Sequence, residues 1–119
     1  MLIFAVTGGR DFQGVAMVNQ VLDALKLRQP ELHLVHGAAR GLDTLARQWA
    51  ERNSVPHTPF PADWHQYGKA AGHIRNGQML TEGKPTLVIA FPGGKGTANM
   101  VEQSRRAGIR VLDLRAING

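Results

Sequence analysis

Two stretches of the chain are almost unbroken in apolar character: Leu2 to Val6, closed by Thr7-Gly8-Gly9, and Thr86 to Phe91. Such runs suit strands buried on both faces, as in a parallel sheet covered by helices. Between them the period changes. Val18, Val21, Leu22 and Leu25 fall at i, i+3, i+4 and i+7, one stripe of a helix over roughly Gly14 to Arg28 that Pro30 stops. Leu32, Leu34 and Val35 predict a second strand ending at His36-Gly37, and Leu42, Leu45, Ala46 and Trp49 repeat the helical spacing over Leu42 to Asn53. Ser54 to Phe60 reads as a weak strand at a sheet edge, because Pro56 and Pro59 each lack a backbone donor. Pro61 to Gly72 reads as a long loop, running into a helix of low periodicity at roughly Lys69 to Thr81. After the second apolar run, Gly96 to Ala107 predicts a helix capped by Gly108, and Ile109, Val111, Leu112 and Leu114 predict a last strand.

Strand and helix thus alternate five times, which predicts an α/β, Rossmann-like three-layer sandwich with a mostly parallel five-stranded sheet. With right-handed crossovers the expected order is 3-2-1-4-5, placing the two continuous apolar strands side by side at the centre. The 119 residues suit one domain, 1–119, and the 43% of apolar residues support a core. The absence of Cys excludes a disulfide scaffold, a Cys zinc site, an iron–sulfur cluster and a thiol nucleophile. No run approaches the ~18 apolar residues of a membrane span, and no basic region precedes the first strand, so a cytoplasmic protein without a membrane partner is expected.

In an open parallel sheet, ligands bind beyond the carboxyl ends of the strands where the order reverses. That point is flanked here by Thr7-Gly8-Gly9-Arg10-Asp11 and Phe91-Pro92-Gly93-Gly94-Lys95-Gly96-Thr97, with His36-Gly37-Ala38-Ala39-Arg40-Gly41 as a third glycine-rich turn on the same edge. Glycine lets the backbone approach a ligand, and free N–H groups at a helix start favour an anion. Arg10, Arg40, Lys69, Arg75 and Lys95 lie on or just after loops of this edge, which accounts for part of the net charge of +5. Together these features point to a phosphate-bearing ligand. Neither G-x-G-x-x-G nor the spacing of a P-loop is present, and there is no G-x-S-x-G or H-E-x-x-H; no metal site or cofactor is expected. Asp11, Asp43 and Asp63 share the edge, each able to accept a ribose hydroxyl, carry a proton, pair with Arg or cap a helix. Trp64 and Tyr67, two aromatics in one polar loop, are candidates for stacking on a base or for pinning that loop to the domain. His33 and His36 are three apart on a strand and point to opposite faces.

These turns, with Gly41-Leu42-Asp43, Ala62-Asp63-Trp64, Gly68-Lys69-Ala70-Ala71-Gly72 and Arg75-Asn76, resemble the SLOG superfamily over nearly the whole chain. More narrowly they resemble its bacterial and phage YspA/YpsA-related branch. The resemblance implies a Rossmann-like fold and a site for nucleotides or nucleotide-derived ligands. Relatives include the LOG-type phosphoribohydrolases, once labelled lysine decarboxylases, which cut the N-glycosidic bond of nucleoside monophosphates. Their P-G-G-x-G-T loop binds phosphate, and Pro92 to Thr97 matches it residue for residue. Arg75 stands as the counterpart of their catalytic Arg. Their catalytic Glu falls here at Met100, and Glu102, two residues on, points roughly 200° away.

The leading expectation is a module that binds or senses a nucleotide-derived ligand, ADP-ribose-like in character. Gly93 to Thr97 and Gly8–Gly9 would hold phosphate by backbone N–H with Gly37 and Pro92 beside it, Arg10, Lys69, Arg75 and Lys95 would add charge, Asp63 would accept from ribose hydroxyls, and Trp64 or Tyr67 would stack on the base. The second is a nucleotide N-glycosidase in which Arg75 acts with Asp63 as substitute carboxylate. The third, suggested by kinship with DprA and by the positive charge, is single-stranded DNA binding. Related proteins dimerise through helices, which implies a homodimer or higher homo-oligomer; Trp49 reads either as an interface anchor or as core.

Overall fold

The computed structural model describes residues 2–117. Five strands, β1 (Ile3–Thr7), β2 (His33–His36), β3 (His57–Pro59), β4 (Leu87–Ala90) and β5 (Arg110–Asp113), form one parallel sheet of order β3-β2-β1-β4-β5. The helices between them are α1 (Val15–Arg28), α2 (Leu42–Arg52), α3 (Trp64–Tyr67), α4 (Ala71–Thr81) and α5 (Lys95–Arg106). The α/β class and the strand order are those expected from the alternation of patterns, with β1 and β4 adjacent at the centre.

Alternation along each strand sends side chains to two cores, one on each face of the sheet. Phe4, Val6, Leu34 and Ile89 join Met17, Val18 and Leu22 of α1 and Leu42, Ala46 and Trp49 of α2. Ala5, Val35 and Val88 join Met79 and Leu80 of α4 and Met100 of α5 on the other face. Trp49 is 1% exposed, and its indole N–H donates to Asp23 Oδ1 at 2.8 Å. It is a core residue, and no interface anchor is available there.

The edge strands carry the weaker patterns. Phe60 N–H donates to His36 O at 2.8 Å, so alternation turns the amide position of Pro59 away from β2, where a missing donor breaks no ladder bond. The clearest departure lies in Pro61 to Gly72, expected as loop. Asp63 caps α3 by accepting from Gln66 N–H at 3.0 Å, and a 3-10 turn over Gly68–Ala70 leads straight into α4. Four residues are too few to show a period, so only the cap could have signalled this helix. Among the described residues no helix is long and apolar enough to cross a membrane.

Candidate functional site

The C-terminal ends of β1 and β4 open into two turns that are bonded to one another. Gly9 N–H donates to Pro92 O at 2.9 Å, while Gly9 O accepts from Phe12 N–H at 3.2 Å and from Leu42 N–H at 3.1 Å. The contact is close enough to require glycine. A Cβ on Gly93 would stand 2.7 Å from Gly9 N and 2.9 Å from Gly8 C, besides striking the Thr97 hydroxyl. Gly41, at φ +74°, holds a left-handed conformation directly under the carbonyl of Gly9, where a side chain would be strained. Beyond Gly93 the chain enters α5 with Gly94 at the cap position and no side chain capping it, so the first-turn amides have no partner within the helix.

These turns border a cavity of about 620 Å³ whose walls include Gly8, Gly9, Arg10, Gly37, Asp43, Trp64, Lys69, Arg75 and Pro92 to Thr97. Of the residues expected from sequence to meet the ligand, all but Asp63 and Tyr67 reach this wall; of the five edge cations, Arg40 does not, being exposed and turned to Asp11. Asp63 is engaged as the α3 cap, and Tyr67 is exposed outside the cavity. The expected contacts of these two with ribose or base, and the catalytic role for Asp63, therefore do not follow from where they stand. Trp64 does line the cavity; the Arg10 guanidinium lies 4.9 Å from its ring centroid, and Gly72 leaves room beneath it. Gly9 lies on the wall too, but its N–H is already engaged by Pro92.

Arg75 reaches from α4 under the sheet edge. Its Nη1 donates to Gly37 O and its Nε to Asn76 Oδ1 at 3.1 Å, while Asn76 Nδ2 donates to Gly96 O and Asn99 Oδ1, both at 3.2 Å. One buried amide thus ties the arginine to the first turn of α5. Lys69, Gly72, His73 and Asn76 all line the cavity at i, i+3, i+4 and i+7. That polar stripe was present in the sequence, but a search for apolar periodicity passes over it.

The carboxylates divide by environment. Asp11 is exposed and pairs with Arg40 at 3.5 Å. Asp43 is buried in the first turn of α2, its Oδ2 accepting from Ala39 N–H at 3.3 Å, and among the described residues it closes to no ion pair with Arg75. Burial pushes its pKa up to about 6, opposed by the Ala39 amide and by the positive charge of Arg75. Burial likewise depresses Arg75, opposed by the Asp43 carboxylate and helped by the like charge of Arg10. The position of the hydrolase Glu carries no carboxylate in the cavity: Met100 is 0% exposed in the core, and Glu102 is exposed beside Arg106 at 3.6 Å.

Behind the Gly37 turn, Ala38 N–H donates to His36 Nδ1 at 3.1 Å, which leaves the proton on Nε2, 3.1 Å from His57 Nδ1. Burial and the neighbouring His57 bring His36 down to about 4. The two shifts act oppositely on stability. Asp43 binds its proton more tightly in the folded chain, so its contribution falls as pH rises from about 4 to about 6. His36 binds its proton less tightly when folded, so its contribution rises from about pH 4 to the ordinary histidine value of 6.5. At about 1.36 kcal/mol per pH unit each amounts to roughly 3 kcal/mol, and they largely cancel. Denaturation of Asp43→Asn beside the parent is expected to show a stability difference that grows in the variant's favour by about 2–3 kcal/mol between pH 4 and 7. A difference independent of pH would contradict the placement of Asp43.

A model of the YspA, cpYpsA-related SLOG family matches residues 3–67. The gene 61 protein of Mycobacterium phage D29 is 35% identical over 116 residues, spanning 91% of this chain and 92% of that protein. DNA processing protein A (DprA) from Streptococcus pneumoniae superposes with a TM-score of 0.75 at 21% identity, over 93% of this chain and 49% of that one. The molybdenum cofactor carrier protein from Chlamydomonas reinhardtii does so with a TM-score of 0.70 at 18% identity, over 96% of this chain and 76% of that one. At those identities the two structures share the fold. The family model and the phage relative go further, and on them the chain belongs to the YspA, cpYpsA-related SLOG family.

Proposed function

We propose that this protein binds a nucleotide or nucleotide-derived ligand, holding its phosphate at the junction of the two glycine turns. The observation that carries the reading is the Gly9–Pro92 bond, which sets the uncapped start of α5 against a cavity walled by four cationic side chains, Arg10, Lys69, Arg75 and Lys95. Phosphate oxygens would accept from the amides of Gly93 to Thr97, with Lys95 and Arg75 supplying charge. Gly9 serves this cradle through its carbonyl and its shape, its N–H being engaged. The Trp64 ring, reached once Arg10 swings aside, offers a flat surface to a base. A volume of about 620 Å³ suits a nucleoside phosphate rather than a lone anion.

Calorimetric titration with AMP, ADP-ribose and adenosine tests this. The two phosphorylated ligands are expected to bind and adenosine not, and Lys95→Ala is expected to weaken AMP by about tenfold to a hundredfold, the worth of one charge-assisted hydrogen bond at roughly 1.5–3 kcal/mol. No binding of any phosphorylated ligand, with steeply salt-dependent binding of single-stranded oligonucleotides instead, would overturn the reading in favour of a DNA-binding role such as the name DNA processing protein A suggests. Release of free adenine from AMP would turn the same cavity into that of a hydrolase.

A further inference from the structure

Resting on that reading, we infer that Asp43 selects the ligand, favouring a phosphorylated sugar with free hydroxyl groups over a bare polyphosphate. A carboxylate on the wall of an anion-binding cavity opposes the ligand's own charge, so its presence needs a reason. The simplest, a direct structural pair with Arg75, is not closed: among the described residues the two form no ion-pair contact and attract only through space, while Arg75 Nη1 and Nε donate to Gly37 O and Asn76 Oδ1. The protein gives Asp43 the Ala39 amide at 3.3 Å, and the Gly37 backbone also favours its charged form. A carboxylate has about four acceptor directions, so capacity is left over on the side that lines the cavity. Gly37 keeps that side open, since a Cβ there would stand 2.9 Å from Asp43 Oδ2 and press into the Arg75 guanidinium.

What can complete such a group is a hydrogen-bond donor, and in a cavity that also attracts phosphate the donor must be carried by an anionic ligand. Sugar hydroxyls meet both demands. Pyrophosphate offers almost nothing but acceptors, a single P–O–H apart, and its higher charge would set most of its oxygens against those of Asp43. Asp43 takes over the part that sequence reasoning assigned to Asp63, which is engaged as a helix cap.

The test is a pair of calorimetric titrations, ribose 5-phosphate and inorganic pyrophosphate, on the parent protein, Asp43→Ala and Asp43→Asn at pH 7.5. The parent is expected to prefer ribose 5-phosphate by tenfold or more. Asp43→Ala is expected to lose about tenfold for ribose 5-phosphate and to gain severalfold for pyrophosphate, the two affinities moving in opposite directions. A residue that merely braces the Ala39 turn would weaken both together, and that result, or an unchanged preference, overturns the inference while the phosphate reading stands. Failure of the parent to bind either ligand overturns both. Asp43→Asn keeps the volume and one acceptor, so it carries the same comparison if the alanine variant does not fold; it is expected to gain for pyrophosphate and to lose less than tenfold for ribose 5-phosphate.

Discussion

Replacing Met100 by glutamate is expected to unfold the protein at neutral pH rather than to switch on hydrolysis. The substitution writes into this chain the acid that the LOG-type hydrolases carry three residues after their Gly-Thr pair. In this fold, however, Met100 is 0% exposed and packs with Ala5, Val35, Met79, Leu80 and Val88 beneath the sheet. That cluster is apolar throughout, and Arg75 is held on the cavity side by Gly37 and Asn76. An unpaired carboxylate in an apolar interior costs roughly 3–5 kcal/mol, to which the lost packing of the methionine adds. That total rivals the whole stability of a small domain, about 5–15 kcal/mol. Circular dichroism with thermal denaturation at pH 7.5 reads the outcome. A variant that melts where the parent does would show that position 100 faces the cavity after all.

The second large effect falls on binding. Gly93→Ala inserts a methyl group between two backbones, 2.7 Å from Gly9 N and 2.9 Å from Gly8 C. Neither neighbour is a flexible side chain end, so the turns must part and the Gly9–Pro92 bond at 2.9 Å must lengthen or break. The strain is expected to cost about 1–3 kcal/mol, the range for overpacking, and the sheet, whose cores lie below, is expected to survive it. Ligand affinity should fall about 100-fold or more, because amides moved out of line forfeit charge-assisted hydrogen bonds worth roughly 1.5–3 kcal/mol each. Calorimetry with AMP on a variant shown to be folded measures this. Retention of parental affinity would mean that the junction of the turns does not hold the phosphate.

The two predictions also mark how far the sequence could be read. The unbroken apolar runs at Leu2–Val6 and Thr86–Phe91 announced the central strands because burial on both faces leaves no polar position to interrupt them. The stripes of α1 and α2 were legible for the same reason, and Trp49 followed its stripe into the core. Contacts across the sheet edge were not. Asp63 and Asp43 look equivalent in the chain, each near glycine and a basic residue, yet one caps a four-residue helix and the other is buried in the first turn of α2. Only the packing of α2 against β1, which fixes Leu42 to Gly9, tells them apart. Likewise the loss of the Gly9 amide to Pro92 depends on a bond between turns more than eighty residues apart, which no local pattern encodes.

On this reading, the backbone amides of the turn after β4 donate to phosphate. That is tested most directly by titrating ¹⁵N-labelled protein with ribose 5-phosphate and following each amide by NMR. The largest shifts are expected on Gly93, Gly94, Lys95, Gly96 and Thr97, with Gly9 moving less because its N–H already has a partner. Saturable shifts confined to another face of the molecule, or none at these amides at millimolar ligand, would contradict it.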